Sequence, residues 1–556
     1  MNAALRLTAN GLWLASALPA AWRFARATRA VEATQTRVLM EIVRANAATV
    51  FGRRHDFSAI ATPAAFQQRV PLAGYADYVP DIDRIAAGVP NVLTAAPVKL
   101  LEPTSGSSAA AKLIPYTAPL QREFQAAIAA WVVGTLGRRP SLWRGTAYWS
   151  VSPLVDRAAR TAGGIPIGFE EDSAYLGDAQ QRLVDAVMAV PGAVKHIEDM
   201  ASFRYVTLLF LLRSPALTLI SVWNPTFLTL LVAPLADWLP HLVADIAAGT
   251  LTPPQPLPPD VHAALHARLR PDPGRAAAVR RAHIMATNAA DLHARLWPRL
   301  GLISCWADGN AAPYAAQVAA LFPQAVLQPK GLIATEGFIS LPLPGRDGAV
   351  PALTSHFLEF QPVDAPDVTP RLLHQLDGGA RYNVVITTGG GLYRYRLGDT
   401  VAVVGKEGDL PLLRFVGRAD AVVDWFGEKL HEDEVRRALD NALEQTGVAP
   451  AFSLLACAPQ LTPPRYLLYL ESSADDARLR AVAAAVDDAL CANFHYAYCR
   501  RLGQLGPVAA YRVAGDGRRV YVDACVARGR RAGDVKPALL SPHGDWLTHF
   551  TGALLD

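Results

Sequence analysis

The sequence predicts an α/β protein of more than one domain, with a large N-terminal part and a smaller α+β part after about residue 418. Three observations predict it. A chain of 556 residues is too long for one compact core. Strand-like and helical patterns alternate between about residues 180 and 330, which points to α/β layers. A strand-like run over 412–416 then meets Gly417-Arg418-Ala419-Asp420, and a shorter succession of patterns follows that reads as its own unit. The chain is 51% hydrophobic and 18% charged, as a globular protein is. Its net charge of +4 is small for this length and gives no reason to expect a nucleic-acid partner.

In chain order, residues 7–22 are apolar and uncharged between Arg6 and Arg23. The stretch contains Gly11 and Pro19 and is short for a membrane span, so it is expected as a packed or interfacial helix, with membrane contact the less favoured alternative. Residues 30–50 have helical periodicity, and Pro-marked loops and helices follow to about residue 90. Residues 214–236 carry no charge, but they break at Trp223-Asn224-Pro225. Asn224 suits an N-cap and Pro225 a first helical position, which predicts a buried strand over 217–223 and then a core helix. The Pro-rich run 252–259 reads as a surface loop. Strands are expected over 352–360, 383–388 and 412–416, and a helix over 431–444. Beyond them come strands at 452–457 and 466–471, a helix at 475–493, and strands at 508–513 and 519–525. The expected division is therefore 1–417 and 418–556.

The five cysteines (Cys305, Cys457, Cys491, Cys499, Cys525) show neither CxxC nor Cys/His spacing. This points to reduced thiols and a cytoplasmic protein without a zinc site. Only seven of the 53 basic residues are lysines, so each lysine carries more information than usual.

Five segments could carry chemistry. Thr104-Ser105-Gly106-Ser107-Ser108-Ala109-Ala110-Ala111-Lys112 offers hydroxyls and backbone N–H groups to phosphate oxygens, with a terminal cation. It is not GxxxxGK[ST], and a strand rather than a helix is expected to follow. The alternative is an ordinary Ser/Ala-rich turn. Ala334-Thr335-Glu336-Gly337 puts a carboxylate beside a hydroxyl at a strand end, which suits Mg2+ on ATP phosphates or simply a solvated Glu. In Thr387-Thr388-Gly389-Gly390-Gly391-Leu392-Tyr393-Arg394-Tyr395-Arg396-Leu397-Gly398-Asp399, three glycines mark a tight turn or close backbone approach. Asp399 is a suitable acceptor for two ribose hydroxyls. Gly417-Arg418-Ala419-Asp420, continuing to Lys429, and Gly533-Asp534-Val535-Lys536-Pro537 add cations that are otherwise ordinary surface charges.

Together these motifs resemble the adenylate-forming superfamily. More closely, the chain resembles the auxin-responsive Gretchen Hagen family of acyl-acid amido synthetases. The likeness includes Asn46-Ala47-Ala48-Thr49-Val50-Phe51-Gly52, Val70-Pro71-Leu72 with Tyr75, and Arg84-Ile85-Ala86-Ala87-Gly88. It implies a large ATP- and acyl-binding domain, with a β-barrel-like part, and a smaller mobile lid. The ATP-binding residues it implies are Thr104, Ser105, Gly106, Ser107, Ser108, Lys112, Ala334, Thr335, Glu336, Asp399, Arg418 and Lys429, with Glu336 also the Mg2+ ligand. Lys536, Lys112 and Arg418 take the catalytic roles. The chain departs from the family where Ala109-Ala110-Ala111 replaces glycines and where Leu332-Ile333 replaces the aromatic before Ala334-Thr335-Glu336.

The implied reaction activates a carboxylic acid as its acyl-adenylate, releases pyrophosphate, and passes the acyl group to an amine such as an amino acid. Transfer to a thiol, or an inactive relative that only binds a small acid, are the alternatives. The expected acid pocket draws on Tyr116, Trp223, Phe227 and Trp306, all of which also suit plain core packing.

Overall fold

The computed structural model describes residues 3–104, 112–150, 159–168, 187–418, 422–528 and 538–556. The chain forms two compact units. The first holds the chain up to Thr104 together with Leu113–Gly417, and the second is Arg418–Asp556, to which Lys112 also belongs.

In the first unit, Thr146–Trp149, Leu217–Ser221, Leu302–Cys305 and Val326–Pro329 lie side by side in that order and all run parallel. Their carboxyl ends therefore share one edge. The two inner strands, Leu-Thr-Leu-Ile-Ser and Leu-Ile-Ser-Cys, are buried throughout, as a parallel sheet covered by helices requires. Helices Met200–Leu212, Pro225–Val232 and Leu235–Ala248 build the core beside it, with Phe203, Leu209, Leu228 and Leu242 fully enclosed. The uncharged run thus resolves into strand, cap and helices. Asn224 Oδ1 accepts from Thr226 N at 2.9 Å, with Pro225 in the first turn. The expected single helix is split at Ala233-Pro234, because proline has no N–H to continue the ladder.

An antiparallel sheet of seven strands runs in the order Ser340–Pro342, Ala349–Pro351, Leu410–Arg418, Tyr395–Glu407, Arg381–Thr387, Phe357–Pro362, Arg371–Leu372. The strand expected over 352–360 begins only at Phe357. Before it the chain turns, and Ser355 N donates to Ala352 O at 2.9 Å. A third sheet holds Lys112–Thr117, Val98–Thr104, Pro166–Ile167 and Ala159–Arg160.

The apolar N-terminal stretch is helix Ala3–Ala27. It packs Trp13 and Leu14 against Val132 and Leu136 of helix Ala118–Arg138, and Asn10 Nδ2 donates to Trp143 O at 2.8 Å. Among the described residues no single helix is long and apolar enough to cross a membrane. The 30–50 pattern forms two helices, Val31–Ala45 and Val50–Arg54, because Thr49 starts the second one by accepting from Gly52 N at 2.9 Å.

The second unit centres on a five-stranded sheet in the order Leu540–Ser541, Phe452–Ala458, Arg465–Glu471, Ala509–Val513, Gly552–Leu555, with helices Glu432–Thr446 and Asp476–Leu490. The expected strand at 519–525 is instead helix Gly517–Ala527. Val520 and Val522 favour a strand, but the buried positions Gly517, Tyr521, Ala524 and Cys525 have helical spacing. Asp516 also caps the helix through Arg519 N at 2.9 Å.

Candidate active site

Hydrogen bonds tie three motif regions together in the first unit: the strand after the Ser-rich segment and the hairpin bearing Glu336 are each linked to the glycine turn. Thr335 and Glu336 are the two turn residues of a hairpin closed by the Ala334–Gly337 pair. Glu336 is only 8% exposed, and the Tyr395 hydroxyl donates to its Oε1 at 3.4 Å. Leu113 N, at the start of the strand after the Ser-rich segment, donates to the Tyr75 hydroxyl at 2.7 Å. Burial pushes that phenol up, and the Glu336 charge adds to the shift. Thr117 Oγ1 donates to Gly389 O at 2.9 Å, which ties the same strand to the glycine turn. Asp399 is buried inside strand Tyr395–Glu407 rather than at its end. It follows Gly398 where the register against Arg381–Thr387 slips, and such bulges re-aim side chains.

The glycines serve close approach. A Cβ on Gly389 would lie 2.4 Å from Glu123 Oε1, and Gly391 has φ +97° with Leu93 Cβ 2.8 Å from where its Cβ would be. Glu123 accepts from Gly389 N at 2.9 Å. Its other oxygen lies 2.8 Å from His356 Nδ1, and His356 Nε2 accepts from Phe338 N at 2.9 Å. One Glu–His pair, with His356 fully buried, thus fixes both the glycine turn and the hairpin that bears Glu336. Sequence reading missed these two residues, since neither lies in a motif and only the fold brings them together. Arg394, with φ +48°, is held by Glu359 and by the carbonyls of Gln67 and Val70 at 2.9 and 2.7 Å.

The carboxyl edge of the parallel sheet gathers a second group. Trp223 is 41% exposed, and its ring centre lies 6.1 Å from that of Trp306, at 53°. Trp306 N donates to Trp223 O at 2.8 Å. Phe227 is half-buried and meets Phe203 edge to face. Lys330 Nζ donates to Ser221 Oγ at 2.7 Å and stands 5.0 Å from the Trp223 ring centre. Asp308 is nearby in sequence, and burial pushes its carboxyl up against the pull of Arg414. Tyr116 does not join this group. It is buried in the other core of the unit, beside Phe124. Lys330 and Ser221 were also missed, although a lysine at a strand end in a chain with only seven was a usable signal.

Lys112 is half-buried at the start of its strand. Thr104 and Arg418 end their strands, and their side chains lie outside the described residues. Ser105, Gly106, Ser107, Ser108 and Lys536 lie outside them altogether. In the second unit, Lys429 has φ +45° and follows Glu428. That carboxylate is fully buried and accepts from the Tyr466 hydroxyl and from Trp425 N and Phe426 N at 2.9 and 2.7 Å. Burial, with Asp424 next, raises the Glu428 carboxyl, and burial with the Lys429 charge drives His495 down to about 3.

Among the described residues no cluster of three or more His, Cys, Asp or Glu could cage a metal. Glu336 forms no ion pair with Lys or Arg among them. A lone, nearly enclosed carboxylate fits Mg2+ carried in on phosphates, which needs one or two protein carboxylates rather than a cage.

Comparison with known proteins gives a consistent result along the chain. Residues 20–327 match the GH3 family N-terminal domain, 349–418 its central domain and 433–544 its C-terminal domain. The indole-3-acetic acid-amido synthetase GH3.8 of Oryza sativa subsp. indica is 28% identical over 468 residues, 80% of this chain and 76% of that protein. The indole-3-acetic acid-amido synthetase GH3.10 of Arabidopsis thaliana is 26% identical over 488 residues, covering 80% of each. The solved structure of GH3.15 acyl acid amido synthetase has a similar fold, with TM-score 0.63 at 22% identity, over 96% of this chain and 97% of that one.

Proposed function

The chain belongs to the GH3 family, and from that premise we propose how its residues divide the work. The protein is a ligase of the acyl-acid amido synthetase kind. It activates a carboxylic acid with ATP, releases pyrophosphate and forms an amide. In the first half-reaction a carboxylate oxygen bonds to the α-phosphorus and the bond to pyrophosphate breaks. In the second, an amine nitrogen bonds to the acyl carbon, AMP leaves, and the nitrogen loses a proton.

Neither step needs a covalent enzyme intermediate, so the protein's task is to position two anions and stabilise developing charge. Asp399 accepts hydrogen bonds from the ribose hydroxyls. Glu336 would hold Mg2+, which when bound would supply charge neutralisation on the phosphates. Ser105, Gly106, Ser107, Ser108 and Lys112, with Thr104 and Ala334-Thr335 beside them, cradle the phosphates. Lys536, Arg418 and Lys429 belong to the C-terminal part, which supplies cations to the adenylate. Trp223, Phe227 and Trp306 shape the acid pocket for a small apolar or aromatic acid, and the amine is an amino acid. The relatives named for indole-3-acetic acid support that choice of substrates. The unpaired cysteines support a cytoplasmic location, which cell fractionation checks.

The observation that carries this assignment is the Glu123–His356 pair, which ties the glycine turn before Asp399 to the hairpin that bears Glu336, with the Tyr395 hydroxyl also on Glu336. The test is ATP-dependent pyrophosphate release over a panel of carboxylic acids, with amino acids, CoA or hydroxylamine as acceptor. Asp399→Ala and Lys112→Ala are each expected to cut acid-dependent release at least about tenfold, which is some 1.4 kcal/mol of transition-state stabilisation. Unchanged rates would remove those roles, and turnover accelerated by CoA but not by amino acids would overturn the amine as acceptor.

A further inference from the structure

Lys330 is a lysine to which the scheme above gives no task. It directly follows strand Val326–Pro329, and its N–H donates to Cys305 O on the neighbouring strand at 3.1 Å. Gly331 comes next with φ +77°, where a Cβ would sit 2.5 Å from Ser340 O. The backbone turns away there and leaves the lysine side chain at the carboxyl edge of the parallel sheet. In open α/β sheets this edge is where ligands bind.

The ammonium is held by one hydroxyl and one aromatic face. It donates to Ser221 Oγ at 2.7 Å, and its nitrogen lies 5.0 Å from the centre of the Trp223 ring. Among the described residues it pairs with no carboxylate. The titratable group that acts on it is Cys305, whose thiol burial pushes up to about 12, so that it stays neutral. Burial lowers Lys330 itself to about 8, which leaves it mostly charged at neutral pH. A half-buried cation without a carboxylate partner among the described residues is costly, and a bound anion offsets that cost. The rings define the rest of the ligand, because Trp223 lies beside the ammonium and Trp306 lies beside Trp223, giving an apolar surface that starts at the cation.

We propose that Lys330, seated on Ser221 and against Trp223, is the carboxylate anchor of the acid pocket: its ammonium holds a carboxylate oxygen of a small acid whose apolar body lies on Trp223 and Trp306. The assignment rests on reading the chain as an acid-activating ligase and deepens it. It makes Lys330 a specificity residue that rejects neutral analogues of the same shape.

The test is calorimetric titration of the full chain, without ATP, against indole-3-acetate, phenylacetate, benzoate and a set of related aryl acids, each paired with its neutral primary amide. At pH 7 at least one acid is expected to bind about tenfold more tightly than its amide, as an ion pair to a half-buried cation implies. Lys330→Gln removes that preference and leaves the amide's affinity within about twofold, while Lys330→Arg keeps most of it. Raising the pH to 9.5 weakens acid binding to the wild-type protein and leaves amide binding alone, and Lys330→Gln abolishes this pH dependence. The anchor is overturned if no acid outbinds its amide, if Lys330→Gln weakens acid and amide alike, or if the variant keeps the preference. Wild-type protein that releases no pyrophosphate yet shows the Lys330-dependent preference would sink the ligase reading and leave the anchor standing.

Discussion

Arg394, buried, and Lys330, half-buried, are cations of the N-terminal unit held in opposite ways. Arg394 has an anion of its own. Its guanidinium spans both oxygens of Glu359 at 3.1 Å, and two backbone carbonyls take further protons. With its donors used inside the fold and its backbone at positive φ, it pins the loop that leads to Asp399. Lys330 has one hydroxyl, one indole face and, among the described residues, no carboxylate. A satisfied buried charge reads as structure, whereas one short of partners reads as a place reserved for a ligand.

The comparison breaks first at Arg394. Arg394→Ala would leave Glu359 buried and uncompensated, and burial already pushes that carboxyl up against the pull of the arginine. Removing one partner of such a pair is expected to cost about 3–5 kcal/mol, while Glu359→Met with Arg394→Met together costs less than either single change. Urea unfolding followed on the N-terminal unit checks this. A loss below about 1 kcal/mol would mean that the pair behaves like a surface ion pair.

Lys330→Met is expected to act in the other direction, and pH reveals the sign. Folding lowers the lysine from 10.5 to about 8, so between these values the unfolded chain holds the extra proton. Stability attributable to Lys330 therefore rises with pH through this window, and the full penalty is present below pH 8. The shift corresponds to about 3 kcal/mol at most. Lys330→Met should be more stable than wild type at pH 7, with the difference fading by pH 10.5, as chemical denaturation at the two pH values would show. A variant less stable at pH 7 would make Lys330 a structural cation like Arg394.

The same contrast explains what could be read from the sequence. The phosphate, hairpin and glycine motifs were legible because their chemistry is carried by neighbours in the chain, such as Thr335 beside Glu336 or the triplet before Leu392. The strand–cap–helix at 217–232 was legible because Asn224-Pro225 is a local signal. Glu123 and His356 were not, since the contact of Glu123 with Gly389 spans 266 residues, its contact with His356 is also distant in the chain, and both depend on the packing of helix Ala118–Arg138 against the sheets. Ser221 ends one strand and Lys330 directly follows another, and they become neighbours only through the parallel register. At Gly517–Ala527 two β-branched valines outweighed a helical burial period that only the fold exposes.

The smallest expected effect sharpens the boundary of the acid crevice. Asn224 directly follows Trp223, and its Oδ1 accepts from both Thr226 N and Thr226 Oγ1, at 2.9 and 2.7 Å. Asn224→Ala removes an N-cap and should cost about 1 kcal/mol of stability. Trp223 is held separately, through its carbonyl to Trp306 N and its ring to Lys330, so its position should survive the loss of the cap. The preference for acid over amide is then expected to be unchanged in Asn224→Ala. If the preference falls with the cap, the helix start rather than the sheet edge places the indole, and the anchor depends on both.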